Sequence, residues 1–186
     1  MREARREYVG SDDADLEISG EWPYPPAVLW QYYVDPEKRL RWQPIQTAVR
    51  NQPNEHGRIG AGASSHCAHG FGGDVLREYL DWRPFSYFTN RFTPLIPGLA
   101  FLPGVETIEF IPTDAGTTMV YYRFRLDECG RLTRLRARAM ASLQRRVLSR
   151  SRESLRRVME KDGCLEASPS SVGIEEEPHP ASSTRS

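Results

Sequence analysis

Residues 131–161 read RLTRLRARAMASLQRRVLSRSRESLRRVMEK, a stretch without glycine or proline and rich in Arg, Leu and Ala, which cost little in a helix. Leu132, Leu135, Ala139, Leu143 and Val147 recur at steps of three and four, so one stripe is apolar while arginines occupy the remaining circumference. A one-sided helix of this kind takes most of its stability from packing, and so predicts a sheet for it to lie on. The stretch just before it supplies strands. Over residues 117–126, Thr118, Val120, Tyr122, Phe124 and Leu126 fall on one face and Met119, Tyr121, Arg123 and Arg125 on the other. Residues 105–111 pair with it across a turn at 112–116, which makes a hairpin.

Further toward the N-terminus the period stays at two. Residues 45–50, 58–69, 74–82 and 85–92 each read as a strand bounded by Gly, Pro or Asn, and residues 15–22 alternate Leu16, Ile18 and Gly20 against Glu17, Ser19 and Glu21. Pro26 suits the first turn of a helix carrying Ala27, Val28, Leu29, Trp30, Tyr33 and Val34, and Asp35-Pro36 stops it. A second short helix is predicted over 37–42. This order predicts an α+β fold. A curved antiparallel sheet of about six to seven strands wraps around the long C-terminal helix, with two short helices after the first strand.

The run Pro26-Ala27-Val28-Leu29-Trp30, then Asp35-Pro36, then Trp42, resembles the proline-led first helix, Asp-Pro stop and downstream tryptophan of the START-like superfamily. That superfamily, also called SRPBCC, includes the birch-pollen allergen, polyketide cyclase and lipid-transfer families. The run Gly57-Arg58-Ile59-Gly60-Ala61-Gly62 looks like its glycine-rich approach to a middle strand, and Asp81-Trp82-Arg83-Pro84-Phe85 like its central hairpin. The resemblance spans about residues 15–161. It implies a helix-grip fold with an internal cavity, commonly used for lipids, sterols, polyketides or other apolar molecules. Fold likeness by itself fixes no activity.

With 186 residues the chain suits one domain, and an apolar share of 39% with mean hydropathy −0.59 implies that part of the length is polar tail rather than core. The expected organisation is a flexible N-terminus over 1–13, a domain over 14–162, and a disordered Ser/Pro/Glu-rich tail over 163–186. Lacking a long apolar run and an apolar leader, the chain reads as soluble and cytoplasmic. Cys67, Cys129 and Cys164 cannot build a disulfide framework. The net charge is zero, but residues 131–161 alone carry +9.

Among chemical candidates, His66-Cys67-Ala68-His69 offers metal or nucleophile chemistry. Alternation, however, turns His66 one way and Cys67 with His69 the other, too few together for a metal site. Cys67 reads as a small buried group. The glycines of 57–73 lack the lysine of a phosphate loop and read as bends in a curled sheet. Asp74, Glu78, Asp81, Glu106 and Glu109 mostly fall where solvent-facing residues are expected.

The expected cavity lining is Trp42, Phe88, Phe92, Tyr122 and Phe124, with Ala139 and Leu143 from the terminal helix and His66, His69, Tyr87 and Arg91 as polar contacts. Leu95, Ile96, Leu99 and Phe101, in the proline-rich apolar stretch 94–104, form an expected gate loop that also suits transient membrane contact. The expected partner is an apolar small molecule, with no metal and no organic cofactor. One alternative is a cyclase or dehydratase whose pocket histidine or tyrosine shuttles protons. Another is an interaction module using Arg138, Arg145, Arg146, Arg150, Arg152, Arg156 and Arg157 toward a protein or nucleic acid, although arginines around a helix also simply solvate it.

Overall fold

Each stretch of period two becomes a strand. The computed structural model describes residues 7–43, 45–70, 73–95, 103–127, 145–146 and 150–164. Its strands are β1 (Leu16–Trp22), β2 (Gln46–Gln52), β3 (Ser64–His69), β4 (Gly73–Arg83), β5 (Tyr87–Pro94), β6 (Gly104–Pro112) and β7 (Thr118–Leu126). All neighbours are antiparallel, in the order β1-β7-β6-β5-β4-β3-β2. From β2 onward each strand pairs with its successor, and β1 closes against β7. β1 and β2 therefore form opposite edges, and the chain between them carries α1 (Pro26–Val34) and α2 (Pro36–Trp42).

The two helices begin where the sequence requires. Pro26 opens α1 with Pro25 extended before it, and Asp35 ends α1 and caps α2. The Asp35 carboxylate accepts hydrogen bonds from the Glu37 N–H at 2.9 Å and the Lys38 N–H at 3.2 Å.

The C-terminal helix, α3, covers residues 150–161 of the described chain, and residues 145–146 are helical too. Ser151, Leu155 and Met159 are buried and continue the steps of four from Val147. Gly163, at φ +76°, ends α3 in a left-handed cap: the Cys164 N–H donates to the Met159 carbonyl at 2.9 Å and the Gly163 N–H to the Glu160 carbonyl at 3.0 Å. Asp162 then ties α3 to both short helices, through Arg41 at 2.7 and 2.8 Å and the Tyr32 hydroxyl at 2.8 Å. The fold is the expected helix-grip α+β fold: Leu155 and Met159 share one buried cluster with Trp22, Trp30, Tyr33, Trp42, Phe88, Phe110 and Val120. The upstream half of the predicted helix lies outside the described residues.

Two boundaries differ from expectation. The strand expected from residue 58 starts at Ser64, because Gly57 (φ +71°) and Gly62 (φ +82°) turn the preceding loop. Asn54 organises that loop, accepting from the His56 and Arg58 N–H groups at 3.0 and 3.1 Å. At the other end, residues 7–10 lie on the outer face of the sheet rather than outside the folded unit. Val9 is fully buried and its N–H donates to Thr107 Oγ1 at 2.9 Å, while Tyr8 packs edge-on against Tyr87.

Candidate functional site

Ladder register decides which side chains face α3. Cys67 lies opposite Val75, Arg77 opposite Phe92, Asn90 opposite Glu106, and Ile108 opposite Tyr122. By alternation the inner face therefore carries Ser65, Cys67 and His69 on β3, and Val75, Arg77 and Tyr79 on β4. It continues with Phe88, Asn90 and Phe92 on β5, Glu106, Ile108 and Phe110 on β6, and Tyr122 and Phe124 on β7.

Of the expected lining residues, Phe88, Phe92, Tyr122, Phe124 and His69 share this face, and Trp42 is buried beside it, its indole N–H donating to the Tyr32 carbonyl at 2.8 Å. His66, Tyr87 and Arg91 do not share it. His66 faces out beside Asp74 (3.2 Å), the Tyr87 hydroxyl donates to Asp81 at 2.9 Å, and Arg91 pairs with Asp127 at 3.1 Å. Leu95 is 49% exposed at the end of β5. Ala139, Leu143, Ile96, Leu99 and Phe101 lie outside the described residues.

Half of the inner face is aromatic. The Tyr33 ring stands edge-on to Phe110 at 5.0 Å, Phe92 edge-on to Phe124 at 6.2 Å, and the Tyr33 and Tyr122 hydroxyls are 2.5 Å apart. Another part is polar, and of it sequence reasoning named His69 but missed Arg39, Arg77, Asn90 and Gln46. Arg39 of α2 is 3% exposed and Arg77 of β4 is 9% exposed, with Asn90, Gln46 and His69 also buried. Arg39 is carried inward because it lies one turn before the buried Trp42 on a helix whose start Asp35 fixes. Glu106, expected to face solvent, faces inward and accepts from Asn90 Nδ2 at 3.4 Å.

Neither buried guanidinium has an ion-pair partner among the described residues. Arg77 stacks on the Phe92 ring at 5.0 Å, while its Nε, the Asn90 Oδ1, the Gln46 Oε1 and the Asn51 Oδ1 are buried without hydrogen-bond partners. Native interiors rarely leave such groups unsatisfied, so a cluster of them on one face is informative.

The electrostatics follow from burial and from the two cations. Burial, then Arg77 and Arg39, pull the His69 pKa down to about 4, so its imidazole is neutral at physiological pH. Burial works against ionising Cys67, yet Arg77 and Arg39, with the Ser65 hydroxyl 3.7 Å away, hold its thiol below the ordinary cysteine value. Desolvation and the Arg77 charge lower the Arg39 pKa. For Arg77, Cys67 and Glu106 outweigh desolvation and raise it, and both guanidiniums stay protonated. Burial pushes the Tyr33 and Tyr122 hydroxyls up, so both remain donors. The site thus offers fixed positive charge and hydroxyl donors rather than a base poised near neutrality.

Sequence comparison places residues 14–160 under a family model described as polyketide cyclase / dehydrase and lipid transport. None of the curated proteins matches the chain. Among solved structures, protein MLL2253 from Mesorhizobium loti superposes with TM-score 0.58 at 17% identity, covering 78% of this chain and 98% of its own. Protein SA2116 from Staphylococcus aureus gives 0.58 at 12% identity, with 81% and 96% covered. CalU16 from Micromonospora echinospora gives 0.53 at 12% identity, with 79% and 82% covered. At these identities the likeness is one of fold.

Proposed function

The chain belongs to the polyketide cyclase / dehydrase and lipid transport family, and from that premise we propose that it binds an apolar small molecule between the inner face of the sheet and the C-terminal helix. The observation that carries this reading is the make-up of the inner face. Packed aromatic rings adjoin buried polar atoms, Arg77 Nε and Asn90 Oδ1 foremost, that the described residues leave unsatisfied. A structural core satisfies or excludes such groups, whereas a ligand site keeps a few of them to orient what it binds. Apolar area removed from water would supply most of the affinity, at about 25 cal/mol per Å². The weakly basic His69 and the raised tyrosines favour holding a ligand over shuttling protons.

The gate expected over residues 94–104 belongs to this proposal. Leu95 leaves β5 exposed and leads into that apolar stretch, and deleting residues 95–101 should change the rate of fatty-acid uptake. Unchanged kinetics would reject the gate. Among the described residues no helix is long and apolar enough to cross a membrane. The binding reading itself is tested by native mass spectrometry of the purified full chain. A retained or added apolar molecule at one per chain supports it; failure to retain any across alcohols, acids and sterols removes it.

A further inference from the structure

We propose that the molecule held on the inner face is an amphipathic monoacid, its carboxylate seated at Arg39 and Arg77 and its apolar body lying along the aromatic residues of β5, β6 and β7. The inference rests on the binding reading above and adds to it the charge and the orientation of the ligand.

Two guanidiniums from different elements, α2 and β4, are brought to one buried place, 3% and 9% exposed. Both are buried on the same side of the sheet, and each lies within electrostatic reach of the other, of Cys67 and of His69. Burying a cation without a counter-ion is costly, and removing an anionic partner from such a cation leaves a penalty of the same kind. Among the described residues neither makes an ion pair, and Arg77 Nε is a buried donor with nothing to donate to. An exogenous carboxylate supplies what is missing: two acceptor oxygens for the planar guanidinium donors.

The count of charges selects a monoanion. Glu106 carries the opposite charge on this face, its carboxylate accepting from Asn90 and acting on both arginines through space, and His69 is neutral. Among the described residues of the sheet and α2, Arg39 and Arg77 against Glu106 leave one positive charge in excess. A carboxylate neutralises it, whereas a dianionic phosphate monoester would leave a buried negative charge in its place. The depressed Cys67 thiol answers the same excess from within the protein. Phe92 orients the ligand. Its ring lies under the Arg77 guanidinium and also meets Phe124 edge-on, so an acyl chain leaving the carboxylate runs onto aromatic surface.

The test is fluorescence titration of the delipidated full chain with dodecanoate, 1-dodecanol and dodecyl phosphate, each below its micelle concentration. Dodecanoate should bind about tenfold or more tighter than dodecanol, the margin expected of a hydrogen bond between charged groups. Arg77→Met and Arg39→Met should each lower the ratio of dodecanoate to dodecanol affinity toward one. Equal affinity of the wild type for acid and alcohol, or a preference that survives both substitutions, overturns the acid site and leaves apolar binding standing. Tighter binding of the phosphate overturns the monoanion assignment. Binding of none of the three overturns both readings. If one variant fails to fold, the other variant and the wild-type comparison decide.

Discussion

Arg77 is the buried charge from which the acid-site reading starts. Its guanidinium is buried, stacked on Phe92 and without an ion-pair partner among the described residues, and Arg77→Met keeps the aliphatic volume while removing the charge. Arg77→Met removes one of the two cations that, after burial, hold the His69 pKa down, so an NMR titration should show that pKa move up from about 4, and an unchanged value would contradict the cluster. The residue was legible in principle. It falls between Val75 and Tyr79 in a strand of period two, as Asn90 falls between Phe88 and Phe92. It was passed over because a charged residue in a strand ordinarily marks the solvent side. Tyr87 and Arg91 were misplaced for a complementary reason. The outer face is itself covered at its centre by residues 7–10, so Thr89 and Thr107 are buried there and alternation loses its contrast between faces.

At the scale of elements, α2 matters because it delivers Arg39 and Trp42 to the interior from a helix of seven residues, too short to be stable alone. Asp35→Ala removes the acceptor for two N–H groups of its first turn. It should lower stability by about 1 kcal/mol in chemical denaturation and weaken acid binding along with it.

The clasp between α3 and the two short helices gives a pH signature. Hydrogen bonds from Arg41 and then Tyr32 hold the Asp162 pKa at about 2 against an ordinary value of 3.8. A carboxylate depressed on folding stabilises above its unfolded pKa and loses that contribution as pH falls through its folded one. The difference in Tm between wild type and Asp162→Asn should therefore be constant above about pH 5 and shrink toward pH 2. A difference that is flat down to pH 2 would contradict the clasp. The Asp-Pro junction and the paired proline start of α1 were legible, since both act locally. Asp162 was not, because its partners Tyr32 and Arg41 are more than a hundred residues away in sequence.

For the whole molecule, the hairpin β6–β7 and the amphipathic C-terminal segment were enough to anticipate a curled sheet holding a helix. In the sheet each strand from β2 onward lies beside its successor, the usual arrangement of consecutive strands. What sequence could not supply was the closure of β1 on β7 and the strap over the outer face, where Arg123 joins Glu17 at 2.7 Å, Glu109 at 2.5 Å and the Tyr8 hydroxyl at 2.9 Å. These contacts link the first residues of the described chain to its last strands. They occupy the outer face with protein, so the proposed ligand site lies on the inner face, where among the described residues neither guanidinium has an ion-pair partner.

The most direct measurement is an isotope-filtered NOE experiment on the labelled full chain with unlabelled dodecanoate. Cross-peaks from the ligand methylenes to the rings of Phe92, Phe124 and Tyr122, with those nearest the carboxylate closest to Phe92 beside Arg77, are the predicted result. Cross-peaks confined to outer-face residues such as Tyr121 and Tyr87, or none at all under conditions where the protein is folded, would contradict an interior ligand.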